Sequence, residues 1–264
     1  MSVKIFSGLG AGFGLVLLAA GCASDPQIRD GITINDPYEA ENRRTHQFNK
    51  DVDRKVISPV SNLVGGDDDG APSDGPGAMD LVINAGSNLS LPNKVVNHVL
   101  QGRPVAAAQN TARFLVNSTI GIAGLFDPAG SQMGLTEVDT DFGATLARWG
   151  VPEGAYLELP VLGPSTQRDA SGKVLDLVAD PLSYVLTPAG WAGAYALRAG
   201  AKVGDRARFG DTVDSVLRDS TDSYAQSRLI YLMHRRHDVG EEGTDFDPYE
   251  DSAAGDGIID PYAE

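Results

Sequence analysis

The sequence has 264 residues, with 36 acidic and 21 basic side chains and a formal net charge of −15. That balance excludes a nucleic-acid partner and a polybasic hold on anionic lipid, both of which need clustered positive charge. Cys22 is the only cysteine, so no intramolecular disulfide is available and the fold rests on its own packing.

The N-terminus has the layout of an export signal: Lys4, a Gly-rich apolar run from Ile5 to Gly21, then polar sequence from Cys22. The run is shorter than the roughly 20 apolar residues that span a bilayer core. It ends in Ala19, Ala20 and Gly21, whose small side chains let the backbone enter a peptidase cleft. It resembles a lipobox, although Leu18 stands four residues before Cys22, where the usual leucine stands three before. The expectation is a signal peptide over 1–21 and a lipidated Cys22, with more than one acyl chain for stable anchoring. Ala23 follows in place of the Asp that retains lipoproteins at the inner membrane, which points to the outer membrane. The alternative is an ordinary signal or membrane stub with an incidental cysteine.

Residues 22–35 are polar and read as a tether, with the domain starting at Asp36-Pro37-Tyr38. The stretch at 65–77, GGDDDGAPSDGPG, is a loop by its Gly, Pro and Asp content. Its DDDG lacks the alternation and closing Glu of a calcium loop, and Asp139 and Asp141 fail the same test. His234 and His237 stand three apart without a third ligand, so no metal and no cofactor is expected. Residues 238–264 are acidic, without Lys or Arg, and read as a solvated tail.

The remainder is periodic at helical spacing. Val95, Val96, Val99 and Leu100 form a short apolar face, broken at Gly102 and Pro104. Val105, Ala108, Ala112 and Leu115 then recur at helical steps. Val174, Leu175, Val178 and Leu182 mark a third helix, which Pro181 kinks or splits. Trp191, Ala194, Tyr195, Arg198 and Ala201 mark a fourth. Asp222 caps a last helix carrying Tyr224, Arg228, Tyr231, Leu232 and Arg235. Tyr156 to Pro160 is the best strand candidate. The fold class is therefore all-α, and 31 Gly with 15 Pro predict short, kinked amphipathic helices in a flattened or ring-like body. Periodicity alone leaves open whether the apolar stripes face an interface or an ordinary core.

Four strings read together closely resemble the MlaA family, also called VacJ: DPYEAENRRTHQFN (36–49), RFLVNSTIGIAGLFDPAG (113–130), DFGATLARWGVPEGAYLELPVLGPSTQRD (141–169) and DSYAQSRLIYLMHRRHD (222–238). The resemblance covers 36–237 and implies an all-α ring around a polar channel in the inner leaflet of the outer membrane, on its periplasmic side, associated with trimeric porins. It also implies removal of phospholipid from the outer leaflet and delivery to a soluble periplasmic carrier, with no catalytic residues. Asn42, Arg43, Gln47, Phe48 and Asn49 fall in the family's Asn-Arg…Phe-Asn stretch, where the resemblance places a gate. Phe48 would close the passage while the Asn and Arg groups meet headgroup oxygens. The alternative makes Phe48 a core anchor and the amides helix caps. Glu41 and Lys50 depart from the family pattern.

Asn117, Gly121 and Gly124 mark a tight turn between helices. The apolar string Ile120, Ile122, Leu125 and Phe126 either dips into the leaflet or forms a packed hairpin core. Two other functions stay open: a porin-bound scaffold without transport, and a lipid hydrolase. The hydrolase lacks a G-x-S-x-G elbow, and no motif surrounds any of the four histidines.

Overall fold

The computed structural model describes residues 27–29, 32–65 and 76–241. The expected signal, Cys22, most of the 65–77 loop with its DDDG, and nearly all of the acidic tail lie outside the described residues.

The chain is mainly helical, as the periodicity predicts, with two small antiparallel hairpins. The first hairpin, β1 (Gln27–Arg29) and β2 (Ile32–Ile34), lies inside the segment expected to be a tether. Ile34 is buried with Tyr156, Tyr224 and Leu232, and Tyr231 packs against that cluster. Isoleucines at 28, 32 and 34 were the overlooked sign of this strand pair.

Helix α1 (Glu39–Val52) runs through a π-helical turn, Asp53–Ile57, into α2 (Ser58–Gly65). The turn immediately precedes Pro59, which has no N–H to return to the preceding turn. Helix α3 (Ala78–Leu100) absorbs the apolar face expected as a short helix near 95–100 and carries Pro92 within its 23 residues. It is followed by α4 (Pro104–Thr119), α5 (Pro128–Ser131) and α6 (Phe142–Arg148). The second hairpin is β3 (Tyr156–Leu159) with β4 (Gly163–Thr166), Tyr156 facing Thr166. Then come α7 (Gln167–Val178) and α8 (Leu182–Val185), split around Pro181 as expected, and α9 (Pro188–Arg208), α10 (Gly210–Leu217) and α11 (Ser223–Val239).

Many of these helices start on the residue types that satisfy orphan N–H groups. Side chains of Asp127, Asp141, Thr166, Thr187 and Asp222 each accept from the N–H three residues on, a cap worth about 1 kcal/mol apiece. Asp139 pairs with Lys94 at 2.5 Å, and Asp141 also receives Arg235 at 2.6 Å, so both aspartates near DFG are structural.

The two longest helices, α3 and α9, pack against each other. This corrects the expectation that glycines here mark joints. A Cβ on Gly86 would lie 2.6 Å from the Leu197 carbonyl oxygen and from the Ala201 methyl, and one on Gly204 would lie 2.5 Å from Ile83. Small residues let the backbones close up, so these helices are long, not short. The boundary at 238 also shifts: α11 extends to Val239, Gly240 takes the left-handed cap at φ 70°, and Glu241 pairs with buried Arg168 at 2.6 Å.

Candidate functional site

Helix α4 shows how polarity is distributed. Its buried face is Ala107, Asn110, Arg113 and Asn117, while Val105 and Leu115 of the predicted apolar stripe are 78% and 57% exposed. The buried polar groups are engaged. Asn110 donates to the Val138 carbonyl at 2.8 Å and accepts from the Val138 N–H at 3.1 Å. Arg113 pairs with Asp127 at 3.0 Å. Asn117 donates to Asp127 at 2.7 Å and accepts from the Ala129 N–H at 3.1 Å. Burial alone would raise the Asp127 pKa, but hydrogen bonds from the Gly130 N–H, Asn117 and Arg113 bring it below the ordinary carboxylate value. A water-soluble helix buries its apolar stripe; this one exposes it.

The loop after α4 continues the pattern. Ile120, Ile122, Leu125 and Phe126 are all exposed, which removes the packed-hairpin alternative for that string. Ile122, Ala123 and Gly124 have successive positive φ values of 52°, 56° and 88°. Gly124 is needed twice over, since a Cβ there would also sit 2.5 Å from the Asn88 amide nitrogen. Gly121 closes against the Asn117 carbonyl oxygen, 2.6 Å from where a Cβ would stand. Asn117, Gly121 and Gly124 therefore form one tight turn that presents apolar side chains outward. Exposed apolar surface of this kind marks a membrane or partner contact.

The first-motif residues divide between two faces of α1. Asn42 is 4% exposed; its amide donates to Asp36 at 2.8 Å and to the Tyr156 carbonyl at 3.1 Å, and its oxygen accepts from the Glu158 N–H at 2.9 Å. Asn49 repeats the device, donating to the Leu159 carbonyl at 2.9 Å and accepting from the Val161 N–H at 2.7 Å. These amides are neither caps nor open headgroup donors: they act as an extra strand edge along β3. Arg43 bonds Glu39 at 2.8 Å and both Asp222 oxygens at 3.0 and 2.9 Å. Its hydrogen bonds hold Asp222 down at about 2. Gln47 and Phe48 are exposed, Phe48 at 50%, so Phe48 is not a core anchor.

Between Asn42 and Asn49 on the buried face lies His46, flanked by Glu158 at 3.3 Å on Nδ1 and the Ser223 hydroxyl at 3.1 Å on Nε2. Tyr156 donates to the other Glu158 oxygen at 2.6 Å, and Lys50 donates to Ser223 at 3.0 Å. Burial, and then the Glu158 charge, push the Tyr156 hydroxyl pKa well above its ordinary value. Ser, His and Glu are thus in contact in the order a nucleophilic triad requires.

A cavity of about 290 Å³ opens between α3 and α9, lined by Ser87, Ser90, Lys94, Tyr195, Arg198 and Lys202 among others. Lys94 is largely buried, which lowers its pKa, but Asp139 and Glu137 outweigh that and raise it. Arg198 pairs with Asp180 at 2.5 Å, and its Nε has no hydrogen-bond partner among the described residues. The walls mix small apolar residues with Lys94, Arg198 and Lys202, each of which pairs with a carboxylate, and further apolar surface lies on the same helices at Val99, Leu100 and Leu197.

The MlaA lipoprotein family model matches residues 34–238. This chain belongs to the MlaA family. The MlaA match opens on Ile34, the first buried residue of the cluster, and closes within α11. The intermembrane phospholipid transport system lipoprotein MlaA of Shigella flexneri is 33% identical over 90% of each chain, and that of Escherichia coli K12 matches equally. An uncharacterized protein of Rickettsia felis is 34% identical over 79% of this chain and 78% of its own. A solved structure concerned with the structural basis for maintenance of bacterial outer membrane lipid asymmetry superposes at TM-score 0.63. It shares 33% identity and covers 77% of this chain and 98% of its own.

Sequence reasoning on this MlaA chain missed His46, Glu158 and Ser223, and marked Lys50 only as a departure from the family pattern. The available signal was the spacing Asn42, His46, Asn49: steps of four and three put three polar residues on one helix face, an arrangement that asks for buried partners. Among the described residues no cluster fit to hold a metal is found.

Proposed function

We propose that this MlaA-family chain removes mislocalised phospholipid from the outer leaflet of the outer membrane through a polar passage and passes it to a soluble periplasmic carrier. In this reading Cys22 carries the lipid anchor, the body forms a ring in the inner leaflet, and trimeric porins hold it in place. The observation that carries the reading is the inverted polarity of α4 and its loop, with Asn110, Arg113 and Asn117 inside and Val105, Leu115 and Ile120 outside. Two facts support it: the names borne by the Shigella and Escherichia relatives, and the charged cavity between α3 and α9.

An unpaired headgroup charge in hydrocarbon costs many kcal/mol, and a polar passage removes that cost. Irregular backbone such as the turn at 122–124 is tolerated at membrane depth only beside protein or water. No described helix is long and apolar enough to cross a membrane, which suits partial immersion by amphipathic helices. Lipid misplaced in the outer leaflet runs downhill, so no nucleotide is needed at this protein. The test is surface-exposed phospholipid in a deletion strain, complemented with wild type or Cys22→Ala. Wild type should restore asymmetry and Cys22→Ala should restore it poorly. Unchanged asymmetry on deletion, with porin co-purification intact, would replace transport by a scaffold role.

A second reading, lipid ester hydrolysis, is favoured by the Ser223–His46–Glu158 contact. A proton on Nδ1 would face Glu158 and leave Nε2 to accept from Ser223. Against it, Ser223 is 9% exposed and already accepts from Lys50. Release of fatty acid from phospholipid vesicles by wild type and its loss in Ser223→Ala would establish hydrolysis.

A further inference from the structure

A second cavity, of about 240 Å³, lies where α1, the π-helical turn and α10 meet, lined by Lys50, Asp53, Arg54, Leu217 and Arg218. In a chain of net charge −15 this wall holds three cations to one carboxylate. The carboxylate is committed: Asp53 accepts from Arg206 at 2.9 and 3.2 Å and from Arg218 at 3.4 Å. Arg54 and Arg218 also have partners, Asp51 at 2.5 Å and Asp214 at 3.1 Å. Lys50 differs. It donates to the neutral Ser223 hydroxyl, and among the described residues no carboxylate pairs with it.

The local backbone is unusual at the same place. The π-helical turn Asp53–Ile57 supplies two of the cavity's side chains, and single π turns recur at functional sites because the extra residue re-aims its neighbours. Along the same stretch Phe48, Val52 and Val56 recur every four residues, with Phe48 and Val56 about half exposed or more. The same helical stretch thus carries a cationic cavity on one face and exposed apolar side chains on another, so the charged and apolar groups that a phospholipid needs lie on one element.

We propose that the Lys50 cavity is a phosphate subsite that engages the phosphodiester of a phospholipid headgroup. This rests on the transport reading and adds to it a point of headgroup recognition. Lys50 supplies the uncommitted charge; Arg54, exposed and paired with Asp51, stands beside it; Leu217 meets the glycerol side. Lysine serves phosphate as a point charge, and a charge-assisted hydrogen bond is roughly twice as strong as a neutral one.

The experiment uses the full chain in a non-ionic detergent and measures binding of dihexanoyl-phosphatidylglycerol by calorimetry, with inorganic phosphate as a second probe. Lys50→Gln should weaken the lipid by about tenfold at low salt, while Lys50→Arg stays within about threefold of wild type. Arg54→Gln, at an exposed side chain, should weaken it less and serves as the reporter if Lys50→Gln does not fold. Equal lipid affinity for folded Lys50→Gln and wild type overturns the subsite. Tight binding of inorganic phosphate without binding of the lipid overturns the headgroup assignment. Surface phospholipid in a strain carrying Lys50→Gln separates the two levels. If deletion disturbs asymmetry but Lys50→Gln binds lipid normally, transport stands and the subsite falls. If deletion leaves asymmetry intact, the transport reading falls with it.

Discussion

Replacing Asn42 by alanine removes three hydrogen bonds at once, at 2.8, 3.1 and 2.9 Å. Two of the groups left behind, the Tyr156 carbonyl and the Glu158 N–H, belong to a strand whose Tyr156 side chain is 1% exposed, so water cannot readily replace the lost amide. Each stranded buried group costs about 1–3 kcal/mol, and the missing side chain leaves a small void, giving a loss of about 2–5 kcal/mol. For a domain of this size 1 kcal/mol moves the melting temperature by roughly 2–4 °C, so Asn42→Ala should melt about 5–15 °C below wild type. Thermal circular dichroism of the detergent-solubilised protein measures this. Asn42→Asp keeps the acceptor but loses the donors and faces Asp36, so it should melt no higher than the alanine variant. A fall of less than about 2 °C for Asn42→Ala would refute the claim that this amide holds β3 in place.

Phe48→Ala provides the contrast within the same motif: at a half-exposed site it should shift melting by no more than about 2 °C, yet change lipid flux. If only abundance falls, its role is structural. Gly124→Ala forces a Cβ against Asn88 at φ 88° and should cost about 2–4 kcal/mol, read as a lowered melting temperature. Arg43 lowers both Glu39 and Asp222, the latter to about 2, below the unfolded value of about 3.9. A lowered carboxylate stabilises the fold fully above its unfolded pKa and stops doing so as pH falls through its folded one. Arg43→Gln should therefore trail wild type by about 0.5–1 kcal/mol at pH 7, discounted for exposure, and the gap should narrow as pH falls towards 2. An equal gap at both pH values would contradict the assignment.

How much was readable depended on whether a residue's partner was near in sequence. The cap at Asp222, the split at Pro181 and the strand at 156–159 follow from local chemistry, and the structure has them. The long α3–α9 pair did not, because a high Gly and Pro content reads as short helices until a partner backbone is known to lie against glycines such as Gly86 and Gly204. The α4 stripe was found but its direction was not: periodicity gives an apolar face, and only the solvent decides whether that face turns inward. Likewise the sequence groups Asn42, Arg43 and Asn49 with Gln47 and Phe48, and the structure divides them between two faces of α1. Beyond the nearby Asp36 and Glu39, the partners of Asn42, Arg43 and Asn49 lie more than 100 residues away, so a sequence cannot show that three of the five already have partners within the protein.

The contacts of Asp36 impose an order on folding. Its carboxylate receives Asn42, Tyr224 and Arg228, so the beginning of the domain is finished by its last helix. Closing so long a loop is slow compared with forming α3 against α4, which are near neighbours in the chain. The early segment must then wait, with Asp36 lacking Tyr224 and Arg228, until α11 docks. A chain cut short at the start of α11, before Tyr224 and Arg228, would keep most of its helices and lose the clasp that joins its two ends.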